Sequence, residues 1–415
     1  MSLLIVSFYF PPYKGVGGRR WAKHVKSLSK LGLKIYVLAG DFQGQSSPWD
    51  KDIKPYQDSI YRIPITPVKS PYYKRTLPKN FIEKLVWKSS QLYGKYKENR
   101  VNGNFGDISS DYERLFFQFA AKLIQEKNID QLIISGGPFR YTAMIIDLKR
   151  IFPNLSIILD YRDYWEDGFH ILSEKQQKYE KEIQQTVLQN ADHVITVNDE
   201  MANYFKTTFK KDSVYVLPHC FDPDDILEKT EQGWTKESAI PSELKFIYGG
   251  ALYNEIGDYI SVFLDFLSAL KKRNHPVIAD IYVPYRNYQT LFDQSEIKCN
   301  VSDFIPVEEF FVEMNNHNYV ILFRPNWSAN AMSSKFFELI AFRKPILYFG
   351  PQGEVADFIH KHALGWHVTK KNFDETIRQF LLNLETRKIP NKGYDLSTHT
   401  FDYQTKLFVD ELKIL

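Results

Sequence analysis

The chain has 415 residues, 44% of them apolar and 25% charged, with a formal net charge of only +3. That length suits two to three domains, and that balance excludes a disordered or collagenous chain and gives no global attraction to nucleic acid. The two cysteines, Cys220 and Cys299, have no metal-ligand spacing and make no disulfide framework, so a reducing compartment is expected.

Residues 3–8 read as a buried strand. The apolar run 3–10 is too short and lacks the basic start of a signal peptide. No uncharged stretch reaches the roughly 18 residues needed to cross a bilayer. Trp21, Val25, Leu28 and Leu31 then fall at helical spacing, and strands are expected at 34–38, 60–63, 131–135, 156–160, 193–197 and 213–217. Helical patterns at 112–126, 139–150 and 173–190 separate most of these strands, which is the βαβ alternation of a doubly wound parallel sheet.

The pattern weakens over 221–243, where Asp, Pro, Glu and Ser dominate, and then restarts. Strands are expected at 245–249, 277–283, 303–305, 319–323, 345–349 and 366–368, with a helix at 259–272. The reading is therefore two domains, 1–225 and 226–400, followed by an amphipathic terminal helix at 401–415. Two such domains facing across a cleft place ligands at the carboxyl ends of the strands.

Three segments at such ends carry candidate chemistry. The first is the loop 11–20, with Gly15, Gly17 and Gly18 ahead of Arg19 and Arg20. Glycines admit close backbone approach, and a helix start favours anions. The same residues also read as a plain strand–helix turn. The loop is not the dinucleotide fingerprint, because Arg20 stands at the third glycine position. Asp41, after the second strand, keeps an NAD enzyme open.

The second segment is Asp160-Tyr161-Arg162-Asp163-Tyr164-Trp165. Asp163 is a candidate general base for an acceptor hydroxyl; a surface salt-bridge turn is the alternative. The third runs from Arg324 to Glu338. Ser333 or Ser334 caps a helix there, and Lys335 and Glu338 share one helical face near its positive end. Lysine suits a diphosphate, and the carboxylate suits two ribose hydroxyls; a capping box with an ion pair is the alternative. Tyr248-Gly249-Gly250 after the first strand of the second domain, and Gly350-Pro351 further on, line the same edge.

These motifs together resemble the family 4-like glycosyltransferases of bacterial surface-polysaccharide assembly. Phe10-Pro11-Pro12 with Gly17-Gly18 and Arg20-Trp21-Ala22 is similar to their first motif. Asp160 to Trp165 is similar to their DxRDxW segment, and Ser334-Lys335-Phe336-Phe337-Glu338 through Lys344-Pro345 to their SKxxExxAxxKP segment.

The resemblance implies a GT-B fold of two Rossmann-like domains and a metal-independent hexosyltransferase. It implies a nucleoside-diphosphate-sugar donor, UDP or GDP, with Glu338 on the ribose, Lys335 on the diphosphate and the Gly15–Gly18 loop near the phosphates; the donor-side candidates are Gly17, Gly18, Arg19, Tyr248, Gly249, Arg324, Asn330, Lys335 and Glu338. Asp163 is then the catalytic candidate as a base, or a polar neighbour of the acceptor, and Asp160 and Arg162 lie on the side of a glycan or lipid-linked saccharide acceptor. Asn330 stands where many members carry a second glutamate. Residues 253–258 lack the usual Arg and Lys, so Arg324 or Lys335 is expected to supply phosphate charge. His219-Cys220 replaces the usual Asn-Gly near the domain boundary.

No Asp-x-Asp stands at a convincing metal site, since Asp222-Pro223-Asp224 lies in the interdomain stretch; neither metal nor cofactor is expected. Residues 69–100 carry nine basic and two acidic side chains, with Phe81, Ile82, Leu85, Val86, Leu92 and Tyr93 on one helical face. This pattern fits either a membrane surface or a helix packed on its domain. The expected setting is cytoplasmic or peripheral at the inner membrane. A nucleotide-sugar epimerase of the same fold and a non-catalytic sugar-nucleotide-binding assembly protein are the rival readings.

Overall fold

Six consecutive buried residues, Ser2–Ser7, open the chain as strand β1, and burial on both faces is what such an apolar run in a parallel sheet requires. The computed structural model describes residues 2–65, 80–100, 107–166, 172–226, 241–329, 332–388, 390 and 394–413. The chain divides into two units, Met1–Pro218 with Phe401–Leu415, and His219–Thr400.

In the first unit β1 leads to α1 (Arg19–Lys30), β2 (Lys34–Asp41), α2 (Asp50–Ile53), β3 (Ile60–Pro64), α3 (Phe81–Arg100) and α4 (Glu113–Lys127). Then come β4 (Gln131–Ser135), α5 (Met144–Ile151), β5 (Ser156–Asp160), α6 (Glu174–Asn190), β6 (His193–Thr196), α7 (Asp199–Thr208) and β7 (Val214–Val216). All strands pair in parallel, in the order β3-β2-β1-β4-β5-β6-β7. Leu4 and Val6 pack with Phe116 and Leu123 of α4, whereas Leu3 and Ile5 pack with Trp21, Val25 and Leu28 of α1. The two-residue period of the strand thus serves a core on each face of the sheet.

The second unit holds α8 (Pro223–Ile226), β8 (Leu244–Gly249), α9 (Gly257–Lys271), β9 (Val277–Val283), α10 (Gln289–Asp293), β10 (Cys299–Asp303) and α11 (Val307–Asn315). These are followed by β11 (Tyr319–Phe323), α12 (Ser334–Ala341), β12 (Ile346–Phe349), α13 (Glu354–Lys361), β13 (Gly365–His367) and α14 (Phe373–Glu385). Its parallel order is β10-β9-β8-β11-β12-β13. Phe246 faces Phe263 and Phe266 of α9, and Ile247 faces Phe337 and Ile340 of α12. In both sheets the order reverses at one point, between β1 and β4 and between β8 and β11, where doubly wound folds open a crevice.

Two expectations shift. The strand expected at 303–305 lies at Cys299–Asp303, because pairing with β9 aligns Cys299 with Ala279 and Asp303 with Val283. The terminal helix α15 (Phe401–Leu412) belongs to the first unit rather than standing apart. Its Phe408 and Val409 join the core with Trp21 and Val25. Thr405 Oγ1 meets His24 Nδ1 at 2.8 Å, and Asp402 takes Ser27 Oγ at 2.6 Å and Lys30 Nζ at 2.7 Å. The first boundary accordingly falls at Pro218 rather than 225.

Candidate functional site

In the second unit the carboxyl end of β8 supplies Tyr248, Gly249 and Gly250, and the end of β11 supplies Arg324. Lys335 and Glu338 come from the first turns of α12. The Lys335 ammonium lies 5.0 Å over the Tyr248 ring. A Cβ on Gly250 would stand 2.5 Å from Lys335 Nζ, so the absent side chain is what seats the ammonium at the β8 edge. Gly249 serves packing instead: its Cβ would meet the Phe310 ring at 2.4 Å. Tyr248 donates its hydroxyl to the Ala251 carbonyl at 2.8 Å and is buried.

Burial pushes the Lys335 ammonium down to about 8; neighbouring Glu338 opposes that shift and Arg324 adds to it. Burial likewise lowers the Arg324 guanidinium, with Tyr348, Tyr253 and Tyr248 opposing. Two desolvated cations side by side are stabilised by an anion that satisfies both. Ser333 takes the extended N-cap backbone conformation, but its side chain makes no capping bond. The capping role expected for Ser333 is therefore not filled by its hydroxyl. Asn330 lies outside the described residues.

A cavity of ≈ 670 Å³ opens within the second unit, lined by Tyr259, Asn326, Gly350, Gln352, His367 and Lys370 among others. Tyr259 donates to Asn326 Oδ1 at 2.6 Å, and His367 Nε2 bonds the Gly350 carbonyl at 2.8 Å. Its size is that of an ordinary small-molecule site.

In the first unit the reversal point is spanned by Arg162. Its guanidinium donates to the Gly17 carbonyl at 3.1 Å and to the Gly137 carbonyl at 2.8 Å, tying the loop after β1 to the loop after β4. A Cβ on Gly17 would come within 3.0 Å of that guanidinium, and Gly137 has φ +72°. Gly18 is buried and closes the turn by donating its N–H to the Gly15 carbonyl at 3.0 Å. Asp163 is exposed, 3.4 Å from Arg162 Nε.

Two expected site residues turn inward. Asp160 is fully buried, accepting from Arg20 at 3.1 Å, from Trp21 Nε1 at 2.7 Å and from Ser135 Oγ at 3.1 Å. It fastens α1 to β4 and β5 and has no surface for an acceptor. Arg19 is buried with its guanidinium 5.3 Å over the Phe401 ring of α15, so it does not reach a donor phosphate. Positions 19 and 20 begin α1: Arg20 turns to the sheet and pairs with Asp160, whereas Arg19 turns to α15.

Gly250 belongs to the Tyr248-Gly249-Gly250 segment that the sequence places at this edge, whereas Gly137 is not among the residues the sequence points to. Its signal is present, since Gly136-Gly137-Pro138 follows directly on β4.

No protein-family model matches the chain, and no curated protein matches it in sequence. Solved structures match it along its length. A sucrose-phosphate synthase from Thermosynechococcus elongatus has a TM-score of 0.63 at 11% identity, covering 100% of this chain and 98% of that one. A glycosyltransferase from Rickettsia africae has 0.56 at 13%, covering 99% and 93%. A UDP-GlcNAc 2-epimerase from Neisseria meningitidis, solved with UDP-GlcNAc bound, has 0.55 at 11%, covering 100% of both chains. At such identities the likeness establishes the fold: an α/β chain with parallel sheets of seven and six strands, of the GT-B class.

Proposed function

We propose that this chain is a metal-independent, GT-B glycosyltransferase. It would pass a hexose from a UDP- or GDP-sugar to a hydroxyl of a glycan or lipid-linked saccharide in cell-surface polysaccharide synthesis. The observation that carries the reading is the Lys335 ammonium seated over Gly250 and Tyr248, with Glu338 one turn further along α12. An ammonium at the reversal point of a parallel sheet, near an α-helix N-terminus, suits a diphosphate. Glu338 would accept the ribose hydroxyls.

In the reaction the acceptor oxygen bonds to the anomeric carbon while the bond from that carbon to the phosphate oxygen breaks. The diphosphate leaves with the electron pair, and Asp163 takes the hydroxyl proton. Lys335 and Arg324 would oppose the charge that develops on the leaving group. Arg162 would hold the Gly17 and Gly137 loops in register beneath Asp163. The work would take place in the cytoplasm or at the inner membrane, with no cofactor.

The epimerase reading is favoured by one observation: chains matching at full coverage include UDP-GlcNAc 2-epimerases, one from Methanocaldococcus jannaschii at TM-score 0.53. Conversion of a nucleotide-sugar without any acceptor would select it. The first test is a thermal-shift screen of UDP, GDP, ADP, dTDP and NAD on the wild type and on Glu338→Ala. A ligand of the folded state raises the melting temperature by mass action. Stabilisation by one nucleoside diphosphate, lost in Glu338→Ala, is the expected result. Stabilisation by NAD alone overturns the proposal.

A further inference from the structure

Helix α3 (Phe81–Arg100) carries an apolar side that its own unit leaves uncovered. Phe81, Ile82, Leu85, Val86 and Leu92 are between 55% and 76% exposed. At about 100° per residue, these positions fall within about 140° of one side of the helix. Lys84 and Lys88, both exposed, lie along one border of that side. Glu83 and Trp87, four residues apart, are half-buried on the opposite side. The helix's sequence holds five basic and two acidic residues.

The packing alternative raised by the sequence needs the apolar side turned inward, and it is turned outward. An exposed apolar contour of this extent marks an interaction site. Its lysine border narrows the occupant: a bilayer interface accepts an apolar face a few ångström deep with ammonium groups reaching lipid phosphates. Among the described residues no helix is long and apolar enough to cross a membrane, so the contact is one of lying on the surface.

We propose that the exposed side of α3 docks the first unit on an anionic lipid surface, with Phe81, Ile82, Leu85 and Val86 inserted and Lys84 and Lys88 at the headgroups. The assignment is independent of the transferase reading, since it needs no donor or acceptor.

The test is co-sedimentation of the full chain with vesicles of phosphatidylglycerol and phosphatidylcholine, and with phosphatidylcholine vesicles alone. Binding is expected to the anionic vesicles and to weaken as salt rises. Lys84→Gln with Lys88→Gln should weaken it roughly 30-fold, and Leu85→Ser with Val86→Ser should abolish it. Both pairs of positions are exposed, and unchanged circular dichroism and melting temperature will show that the variants fold. No binding to anionic vesicles at low salt overturns the proposal. So does a dimer in light scattering that dissociates in Leu85→Ser/Val86→Ser, which assigns the face to a second copy of the chain.

Discussion

Replacing Gly250 by alanine tests the placement of Lys335 without touching its charge. The new Cβ would lie 2.5 Å from the ammonium nitrogen, well inside contact distance. The neighbour that must yield is the tip of a flexible side chain, so the lysine swings away while the backbone holds. The φ of +156° at this position adds a folding cost of about 1 kcal/mol. A hydrogen bond to a charged group contributes about 1.5–3 kcal/mol, so losing the lysine's contact should weaken UDP or GDP binding roughly 10- to 100-fold. Calorimetric titration of wild type, Gly250→Ala, Lys335→Met and the double variant measures this as a cycle. If Gly250 acts through Lys335, the alanine has little further effect once the lysine is gone. An equal loss in both backgrounds, or no loss in Gly250→Ala, refutes the reasoning.

Two other predictions follow from groups described above. Burial disfavours the Lys335 charge and pushes the ammonium down to about 8. It is therefore protonated below that pH and neutral above it, so nucleotide affinity should be level below pH 8 and fall by up to about tenfold per pH unit above it; Lys335→Met should flatten the profile, and an unchanged slope in that variant would place the titration elsewhere. Asp160→Ala leaves the Arg20 guanidinium and the Trp21 N–H without their buried carboxylate partner; removing one member of a buried pair costs about 3–5 kcal/mol, read in urea unfolding, and a loss below about 1 kcal/mol would mean that water replaces the carboxylate.

The positions of most strands were legible because a parallel strand buried on both faces is an apolar run bounded by polar turns, as at Ser2–Ser7 and Tyr319–Phe323. Helix α6 was legible from its helical pattern at 173–190, and the structure adds a capping box of Ser173 and Gln176 at its start. The edge strand β10 was misplaced because its residues are only half-buried or exposed, and register there comes from β9 alone. Lys335 and Glu338 were legible as a pair because three residues of helix place them on one face.

What the sequence alone determined, then, was what depends on neighbours along the chain: two α/β halves, strand ends as the place for chemistry, and Lys335–Glu338 on one turn. Only the tertiary structure decided which polar residues face outward. Asp160, Arg19 and Asp163 lie close to strand or helix ends and look alike in sequence. Yet Asp160 is claimed by Arg20, Trp21 and Ser135, Arg19 by Phe401 from the far end of the chain, and Asp163 is left exposed. The return of α15 to the first unit, across the whole intervening unit, is of the same kind. Side-chain direction near a strand end depends on partners distant in the chain, such as Arg20 and Trp21 for Asp160, and no local pattern records them.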